Sequence, residues 1–328
     1  MITRMDLLPQ SWMMREPFAI SRGVQTEQEA VTVILTDAAG LIGRGEGCGV
    51  SYAGETIASM TAQLEAARGA VMAGAGRSDL PSLLPPGGAR FALDAALWDM
   101  EAKAAPGGIA ALTGIAMAPV ATAYTIGIRS IADYEATARR YADFRLLKVK
   151  VNADDPIAAI AAVRRGAPDP ALIIDPNQAW TAQMLAEYAP ILKTMNVVLL
   201  EQPVAVGAEA TLDGYRSPIP LAADELINSE ADLDLAEGRF DVINIKLDKC
   251  GGLTAALALA DACEARGFRL MVGCMAGSSL CMAPALVLAQ RCDFVDLDGP
   301  LLQSGDWPHA LTYDETGLVA PPSPALWG

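Results

Sequence analysis

The sequence predicts an α/β fold, a (β/α)8 TIM-type barrel, preceded by a smaller α+β domain. After residue 118, eight short runs rich in Val, Ile and Leu begin roughly 20 to 28 residues apart. Each interval has the Ala/Leu-rich, amphipathic character of one helix, and such alternation is typical of parallel strands. Residues 1–118 lack this alternation. We therefore expect the barrel to occupy residues 119–299.

The N-terminal elements are predicted from local patterns. VTVILTD (31–37) and LIGRGEG (41–47) flank a short turn and indicate the two strands of a hairpin. Residues 55–75 and 90–104 have helical spacing and many alanines. The Pro/Gly-rich segment 80–88 between them is typical of a loop.

The eight barrel strands are predicted at the runs themselves, and eight units favour closure into a ring. The runs are 123–128, 146–151, 172–177, 197–203, 221–225, 242–247, 270–275 and 294–299. An open, doubly wound sheet is the alternative. That fold usually has fewer strands, and no GxGxxG follows the first run, because GRGEG at 43–47 does not match this fingerprint.

The charge balance and the N-terminus exclude several classes of partner. The chain has 39 acidic and 24 basic residues and a net charge of -15, whereas binding to nucleic acid or anionic membranes requires a basic face. The first ten residues lack the layout of a signal peptide, and no apolar run approaches the ~18 residues that span a bilayer. We expect a cytoplasmic protein with a small-molecule substrate. The sequence leaves open whether the protein forms a homo-oligomer.

The scarcity of histidine narrows the chemistry. His309 is the only histidine and lies in a Pro-flanked stretch typical of a surface turn, and the six cysteines show no CxxC pairing. A histidine-based triad or metal site would therefore rest on His309 alone. Acid–base work is left to Lys, Asp, Glu or Tyr, and metal ligation to carboxylates, whose oxygens suit Mg²⁺ or Mn²⁺.

Polar side chains interrupt the predicted strands near their C-terminal ends, where barrel enzymes carry their active sites. They are Lys148, Lys150, Asp175, Asn177, Glu201, Asp224, Glu225, Asn244, Lys246, Asp248, Asp296 and Asp298. Because strand side chains alternate, Lys148 shares a face with Lys150. Lys246 likewise shares a face with Asp248, whereas Lys249 falls on the opposite phase.

The geometry of an eight-stranded ring places these side chains around one site at the barrel mouth. Strands two and six of an eight-membered ring are opposite, so Lys150 and Lys246 face each other across the mouth. The strands between them end in carboxylates, which suit one hard divalent cation. A substrate carboxylate on that cation would place its α-carbon between the lysines, and the cation would stabilise the enediolate charge. A lysine acts as the base when its pKa falls, which neighbouring positive charge promotes.

Five motifs recur in order along the predicted barrel. They are KVK at 148–150, DPN at 175–177, EQP at 201–203, ADE at 223–225 and NIKLDKCGG at 244–252. Together they resemble the muconate-lactonizing subgroup of the enolase superfamily, and within it the dipeptide epimerases, over essentially the full chain. The resemblance implies a modified, enolase-like barrel whose mouth is closed by a capping domain of residues 1–118 and the tail 300–328.

The resemblance also implies roles for the residues of the mouth. Three carboxylates are the expected ligands of Mg²⁺, with Mn²⁺ as the alternative ion: Asp175, Glu201 and Asp224. Three neighbours are expected to support them: Asn177, Glu225 and Asn244. Lys150 and Lys246 are the expected acid/base pair, and Lys148 is expected to steady the substrate carboxylate. The implied enzyme is an isomerase.

Further features are similar to substrate contacts of dipeptide epimerases. Asp296 and Asp298 resemble the pair that receives a free α-ammonium. Arg22, in a mobile N-terminal loop, resembles the arginine that meets the side-chain carboxylate of a C-terminal Glu. Segment 47–56 is expected to close over the site as well. The implied reaction converts L-Ala-L-Glu to L-Ala-D-Glu, and cell-wall peptide recycling is the implied pathway.

Other functions stay open on the sequence alone. Many relatives carry an acidic residue shortly after the position of Met275, and this chain does not, which affects substrate fit. An N-acylamino acid racemase, an o-succinylbenzoate synthase or a cycloisomerase would use the same two lysines on substrates without an ammonium. A Schiff-base lyase would use Lys150 or Lys246 as a nucleophile. A non-catalytic binding barrel, its mouth filled by a structural ion-pair network, would need neither metal nor proton transfer.

Overall fold

The computed structural model describes all 328 residues and begins with an antiparallel sheet in the order β1-β2-β3. Its strands are β1 (Ile2–Ile20), β2 (Gly23–Asp37) and β3 (Ile42–Cys48). The predicted β2–β3 hairpin is confirmed. The sequence did not indicate β1, because Pro9 and many exposed polar residues hide its alternation, as is common in edge strands. Arg22 lies in the two-residue turn between β1 and β2, so the loop predicted around it is shorter than expected.

Four α-helices complete this part of the chain. They are α1 (Ile57–Met72), α2 (Leu80–Leu83), α3 (Gly88–Ala104) and α4 (Gly108–Thr113). The spacing correctly predicts α1 and α3. α1 begins at a capping box in which the Thr56 and Ser59 side chains bond each other's backbone N–H. Segment 80–88 is not entirely the expected loop, because Pro81 stands in the first turn of α2, where its missing N–H costs nothing.

A stripe of glycines on β3 lets α3 approach the sheet closely. Added Cβ atoms on Gly43, Gly45 and Gly47 would lie 2.3, 2.3 and 2.1 Å from carbonyl oxygens of α3. Period-two alternation puts all three glycines on one face of the strand. The GRGEG motif is therefore a helix-packing device, which explains why it does not fit a phosphate-binding fingerprint.

The second sheet is the predicted barrel. Short strand β4 (Val120–Ala121) leads into it. Its eight parallel strands are β5 (Tyr124–Ile126), β6 (Leu146–Lys150), β7 (Ala171–Asp175), β8 (Val197–Glu201), β9 (Leu221–Ala223), β10 (Val242–Lys246), β11 (Arg269–Gly273) and β12 (Phe294–Val295). Sequence neighbours pair in order from β5 to β12. The Ala123 N–H donates to the Val295 carbonyl at 2.8 Å, so the first and last strands meet.

Helices follow most barrel strands. They are α5 (Ile131–Arg140), α6 (Pro156–Gly166), α7 (Ala182–Lys193), α8 (Leu233–Ala236), α9 (Leu247–Cys250), α10 (Leu253–Ala265), α11 (Ser279–Ala289) and α12 (Gly299–Leu302). The expectation of one full helix in every interval is wrong twice. Only the 3₁₀ turn Glu209–Leu212 follows β8, where Pro218 and Pro220 remove N–H donors. Only short turns, including α8, follow β9.

Inward-facing side chains form an apolar layer beneath a polar one. The apolar layer consists of Ile173, Leu199, Ala222, Val242, Met271 and Phe294. Two positions further along the same strands come Asp175, Glu201, Asp224, Asn244, Gly273 and Asp296. Period-two alternation therefore delivers the polar side chains to the C-terminal mouth, where barrel active sites lie.

The C-terminal tail contacts both parts of the molecule. Strand β13 (Leu318–Val319) pairs with β4 at the barrel. Buried Trp327 donates from Nε1 to the Ala95 carbonyl in α3 at 2.9 Å. The domain boundary at residue 118 stays a prediction. No helix combines the length and apolar character required to traverse a membrane.

Candidate active site

The three predicted carboxylate ligands converge at the barrel mouth. Asp175 and Glu201 end β7 and β8, Asp224 follows β9, and all three are buried. The Lys148 ammonium lies among them, 3.3 Å from Asp175 Oδ2 and 2.8 Å from Glu201 Oε2. Lys148 also donates to Asp296 Oδ2 at 2.8 Å. The structure thus brings Lys148 and the carboxylates together as the sequence predicts.

Lys150 and Lys246 stand at opposite ends of this row of carboxylates. Lys150 Nζ donates to Asp175 Oδ2 at 2.5 Å, and Lys246 Nζ donates to Asp224 Oδ2 at 2.7 Å. Glu201, on the strand between those of the two aspartates, has no contact with either lysine within ion-pair distance. Both lysines line the same cavity at the mouth, so two ammonium groups face one compartment from two sides.

The three supporting residues also lie where the sequence predicts. Asn244 Nδ2 donates to Glu201 Oε1 at 3.0 Å, and the Asn177 backbone N–H donates to Asp175 Oδ1 at 2.8 Å. Glu225 is buried next to Asp224 and contacts the cap. Gln202 was missed by sequence reasoning: its Oε1 accepts the Asp224 N–H at 2.9 Å and fixes that ligand's backbone. Its position inside the EQP motif was the available signal.

Lys249 and Asp248 occupy positions other than those expected. Lys249 does not face away from the site, because its Nζ lies 2.8 Å from Asp224 Oδ1 and donates to the Ile227 carbonyl at 2.9 Å. Asp248 does not share the face of Lys246: its Oδ1 accepts the Cys48 N–H at 2.9 Å. The cause is common to both. β10 ends at Lys246 and α9 begins, so strand alternation no longer applies.

The carboxylates and lysines set each other's charge. Burial raises the pKa of Glu201 to about 8, and the charge of Asp175 adds to this effect. Burial also opposes ionisation of Asp175, but Lys150 and Lys148 outweigh it and lower that pKa to about 2. Burial favours a neutral Lys246, yet Asp224 outweighs burial and raises its pKa. The protein residues alone therefore do not lower the pKa of Lys246, as a catalytic base would require.

The mouth fits a hard divalent cation. The Lys148 ammonium donates to Glu201 Oε1 at 2.9 Å, and Glu201 Oε2, 2.8 Å from the same ammonium, accepts no hydrogen bond. Asn244 Oδ1 is also buried without a donor. Unpartnered buried oxygens are costly, and a set of carboxylate oxygens is what Mg²⁺ prefers. Asp175, Glu201 and Asp224 are the residues that could hold it.

A second group of candidate ligands, Glu46, Cys48 and Cys281, is a packing element. The Glu46 carboxylate is already occupied by donors from the Ser278 backbone and hydroxyl and from the Trp307 indole, at 2.6 to 3.1 Å. It ties β3 to the start of α11 and to the tail. The cysteines are free thiols, as the absence of CxxC pairing predicts.

Asp296 and Asp298 are buried beside the row of carboxylates. Asp296 Oδ1 accepts from Thr125 Oγ1 at 3.1 Å, and Asp298 Oδ2 accepts the Thr125 N–H at 2.6 Å. Burial raises the pKa of Asp298 to about 7, and the neighbouring charge of Asp296 adds to it. Lys148 is the only ammonium within ion-pair distance of this pair. Two adjacent carboxylates whose negative charge is balanced by one ammonium group could bind one further cation.

The cap closes the cavity from above. The cavity measures about 610 Å³ and is lined on the cap side by Arg22 and by residues of segment 47–56, including Tyr52. Arg22 Nη1 donates to Glu225 Oε1, and its guanidinium carbon lies 5.1 Å from the centre of the Tyr52 ring. Met275 also lines the cavity. Segment 47–56 therefore lies over the site, as the sequence predicts.

Known proteins share this architecture over nearly the whole chain. The model of the mandelate racemase / muconate lactonizing enzyme N-terminal domain matches residues 2–114, and the enolase C-terminal domain-like model matches residues 133–315. The L-Ala-D/L-Glu epimerase of Escherichia coli (strain K12) is 38% identical over 93% of this chain and 95% of its own. The N-acetyl-D-glutamate racemase of Pseudoalteromonas sp is 42% identical over 76% of this chain and 79% of its own.

Solved structures agree with these relatives. An enolase family member from Agrobacterium tumefaciens with homology to dipeptide epimerases, holding sodium and L-Ala-L-Glu, superposes with a TM-score of 0.95 at 40% identity over 99% of both chains. The dipeptide epimerase of Enterococcus faecalis V583, complexed with Mg and L-Leu-L-Tyr, gives 0.89 at 27% identity over 98% of this chain and 97% of its own. The chain therefore belongs to the enolase superfamily, in the mandelate racemase / muconate lactonizing enzyme family.

Proposed function

We propose that this protein is a Mg²⁺-dependent dipeptide epimerase that inverts the α-carbon of the C-terminal residue, with L-Ala-L-Glu and L-Ala-D-Glu as its substrate pair. One observation carries the proposal. Lys150 and Lys246 stand at opposite ends of one row of buried carboxylates and line a single cavity. Two ammonium groups on two sides of one α-carbon are what stereochemical inversion needs.

Each residue of the mouth then has a role. Asp175, Glu201 and Asp224 would hold Mg²⁺, which when bound supplies Lewis-acid stabilisation of the substrate carboxylate and of the enediolate charge. Lys148, fixed by three carboxylates, holds the substrate carboxylate in place by its charge. Cation binding to Asp175 and Asp224 would remove the charges that favour protonated lysines.

The two lysines divide the proton transfers between them. One lysine, in its neutral form, removes the α-proton from one epimer, and the other delivers a proton to the opposite face. In the reverse direction the two exchange roles. Cap residues over the cavity exclude water, which preserves the enediolate long enough for the proton to be returned.

Two groups of residues at the mouth would select the dipeptide. The α-ammonium of the N-terminal residue meets Asp296 and Asp298, whose paired carboxylates lack a second cation. The side-chain carboxylate of a C-terminal Glu meets Arg22, which lines the cavity from the cap. As part of the same proposal, the dipeptide comes from cell-wall peptides recycled in the cytoplasm. Accumulation of L-Ala-D-Glu in cells that lack the gene would test this pathway.

A second candidate activity, N-acylamino acid racemisation, is favoured by the similarity to the Pseudoalteromonas racemase. N-acetylglutamate has the same α-carboxylate and the same side chain as the C-terminal Glu of the dipeptide. It lacks the ammonium, however, and would leave Asp296 and Asp298 with Lys148 as their only cation. This difference makes the ammonium the feature that separates the two activities.

Optical rotation of L-Ala-L-Glu and of N-acetyl-L-glutamate, each followed with wild type and with Asp298→Asn, separates these candidates. A charge-assisted hydrogen bond is worth ~1.5 kcal/mol or more, so we expect the substitution to lower kcat/KM for the dipeptide at least about tenfold. The racemisation of N-acetylglutamate should be weak and insensitive to it. Efficient turnover of N-acetylglutamate with none of the dipeptide would overturn the proposed function.

A further inference from the structure

Arg22 is held by the protein from two sides. Its Nη1 donates to Glu225 Oε1 on the barrel, and its guanidinium lies 5.1 Å above the Tyr52 ring of the cap. Nε and Nη2 make no hydrogen bond, and a third of the side chain is exposed. One edge of the guanidinium is therefore fixed, and the other is free toward the cavity. A free guanidinium edge binds a carboxylate through two parallel N–H donors.

Glu225 lies behind Arg22 and away from substrate. Arg22, Tyr52 and Asn177 line the cavity, whereas Glu225 does not. Only 3% of the Glu225 side chain is exposed, and its other neighbour is Asn177, whose Nδ2 lies 3.4 Å from Oε1. Arg22 makes the shortest contact with Glu225 and lines the cavity, so it is the most direct link between Glu225 and a substrate side chain.

The contact also joins two separate parts of the chain. Arg22 stands in the turn between β1 and β2, and Glu225 follows β9. Ser21 Oγ donates to the Asn177 carbonyl at 3.2 Å, so the same turn is attached to the mouth a second time. A long side chain on an otherwise isolated turn loses much rotamer freedom when it binds a ligand. An anchor formed before binding removes that loss.

We propose that Glu225 is a positioning residue that sets the preference for an acidic C-terminal residue, by orienting Arg22 so that its free edge faces the substrate side chain. The inference rests on the proposed function and names a determinant of its specificity. Glu225 acts only on the part of the substrate that differs between Glu and Gln. Its removal should therefore change the discrimination between these residues, while the chemistry at the α-carbon continues.

The test compares L-Ala-L-Glu with L-Ala-L-Gln, which has nearly the same shape without the charge. The measured quantity is the quotient of the two kcat/KM values, for wild type, Glu225→Gln, Arg22→Met and the double variant. We expect Glu225→Gln to lower the quotient about tenfold. The double variant should have the quotient of Arg22→Met, because Glu225 acts through Arg22. Glu187→Gln, an exposed helix position, is the matched control for loss of one negative charge and should leave the quotient unchanged.

Several results would overturn the inference. A quotient that is unchanged in Glu225→Gln would show that Glu225 does not affect the discrimination. A raised quotient would show that Glu225 competes with the substrate for Arg22. Equal losses on both dipeptides, or a double variant that falls below Arg22→Met, would show an effect through the metal site or the fold. If Glu225→Gln does not fold, Tyr52→Leu removes the other support of Arg22 and must lower the same quotient. Turnover of neither dipeptide by wild type would instead refute the proposed function.

Discussion

Replacing each active-site lysine by methionine should separate the two proton transfers. In Lys246→Met the ammonium at the Asp224 end of the cavity is lost, and in Lys150→Met the one at the Asp175 end is lost. Each variant keeps one lysine, so it should still exchange the α-proton of one epimer with solvent. Neither can return a proton to the opposite face, and epimerisation should stop in both.

The loss of epimerisation activity in each lysine variant depends on whether another group that lines the cavity can replace the missing lysine. General acid–base catalysis contributes about 10²- to 10⁴-fold. Tyr52 and Cys274 are the phenol and the thiol that line the cavity, and burial raises the pKa of both groups. Neither can replace a missing lysine, so we expect the upper part of the range, about 10³-fold or more, or ~4 kcal/mol in the activation free energy.

Proton NMR in D₂O with saturating Mg²⁺ makes the comparison direct. L-Ala-L-Glu and L-Ala-D-Glu are incubated separately with each variant, and loss of the Glu α-proton signal is followed. One variant should exchange only the L,L-dipeptide and the other only the L,D-dipeptide. Lys193→Met, on the exposed end of α7, is the control and should behave as wild type. Exchange of both epimers by both variants, or epimerisation within tenfold of wild type, would refute the two-lysine assignment.

Three further predictions concern stability. Gly45→Ala should destabilise the fold by about 1–3 kcal/mol in urea titration, because its Cβ would lie 2.3 Å from the Ala92 carbonyl oxygen. Gly69→Ala on the exposed face of α1, where an added Cβ has nothing within 4 Å, should instead stabilise the fold by about 0.5–1 kcal/mol. Equal effects of the two substitutions would contradict the close packing of α3 on the sheet. Mg²⁺ at a hundredfold excess over Kd should stabilise the folded protein by about 2.7 kcal/mol. The Tm should therefore rise with Mg²⁺ and fall again with EDTA, and an unchanged Tm would argue against a metal site. Burial raises the pKa of Asp94 to about 6, so its contribution to stability is present below pH 4 and is lost as pH rises through 6. The urea midpoint of wild type should therefore fall relative to Asp94→Asn between these values, and parallel pH curves would refute this cause.

Much of the active site was predictable because barrel strands follow simple rules. An apolar layer alternates with a polar one, and the polar residues two positions beyond Ile173 and Leu199 are the carboxylates of the mouth. The regular interval between strands then fixes which ends are adjacent and which are opposite. These rules place Lys150 and Lys246 on two sides of one cavity without any knowledge of the loops.

Two of the missed features have the same physical cause, a change of backbone conformation at the end of a strand, which the alternation of side chains along that strand does not reveal. Lys249 reaches Asp224 because α9 begins directly after Lys246. Gln202 has a positive φ of 37° and turns its amide toward the backbone of Asp224. β1 lies on a sheet edge, where exposed residues weaken the alternation. Arg22 was found in sequence, but its partner Glu225 lies 203 residues away and only the fold brings the two together.

The most direct test of the proposed reaction is exchange of the Glu α-proton of L-Ala-L-Glu by the wild-type protein in D₂O with Mg²⁺. We predict loss of that signal together with the appearance of deuterated L-Ala-D-Glu, and we predict that EDTA abolishes both. Retention of the proton in the presence of Mg²⁺, or exchange that continues undiminished in EDTA, would contradict metal-dependent proton transfer between opposed lysines.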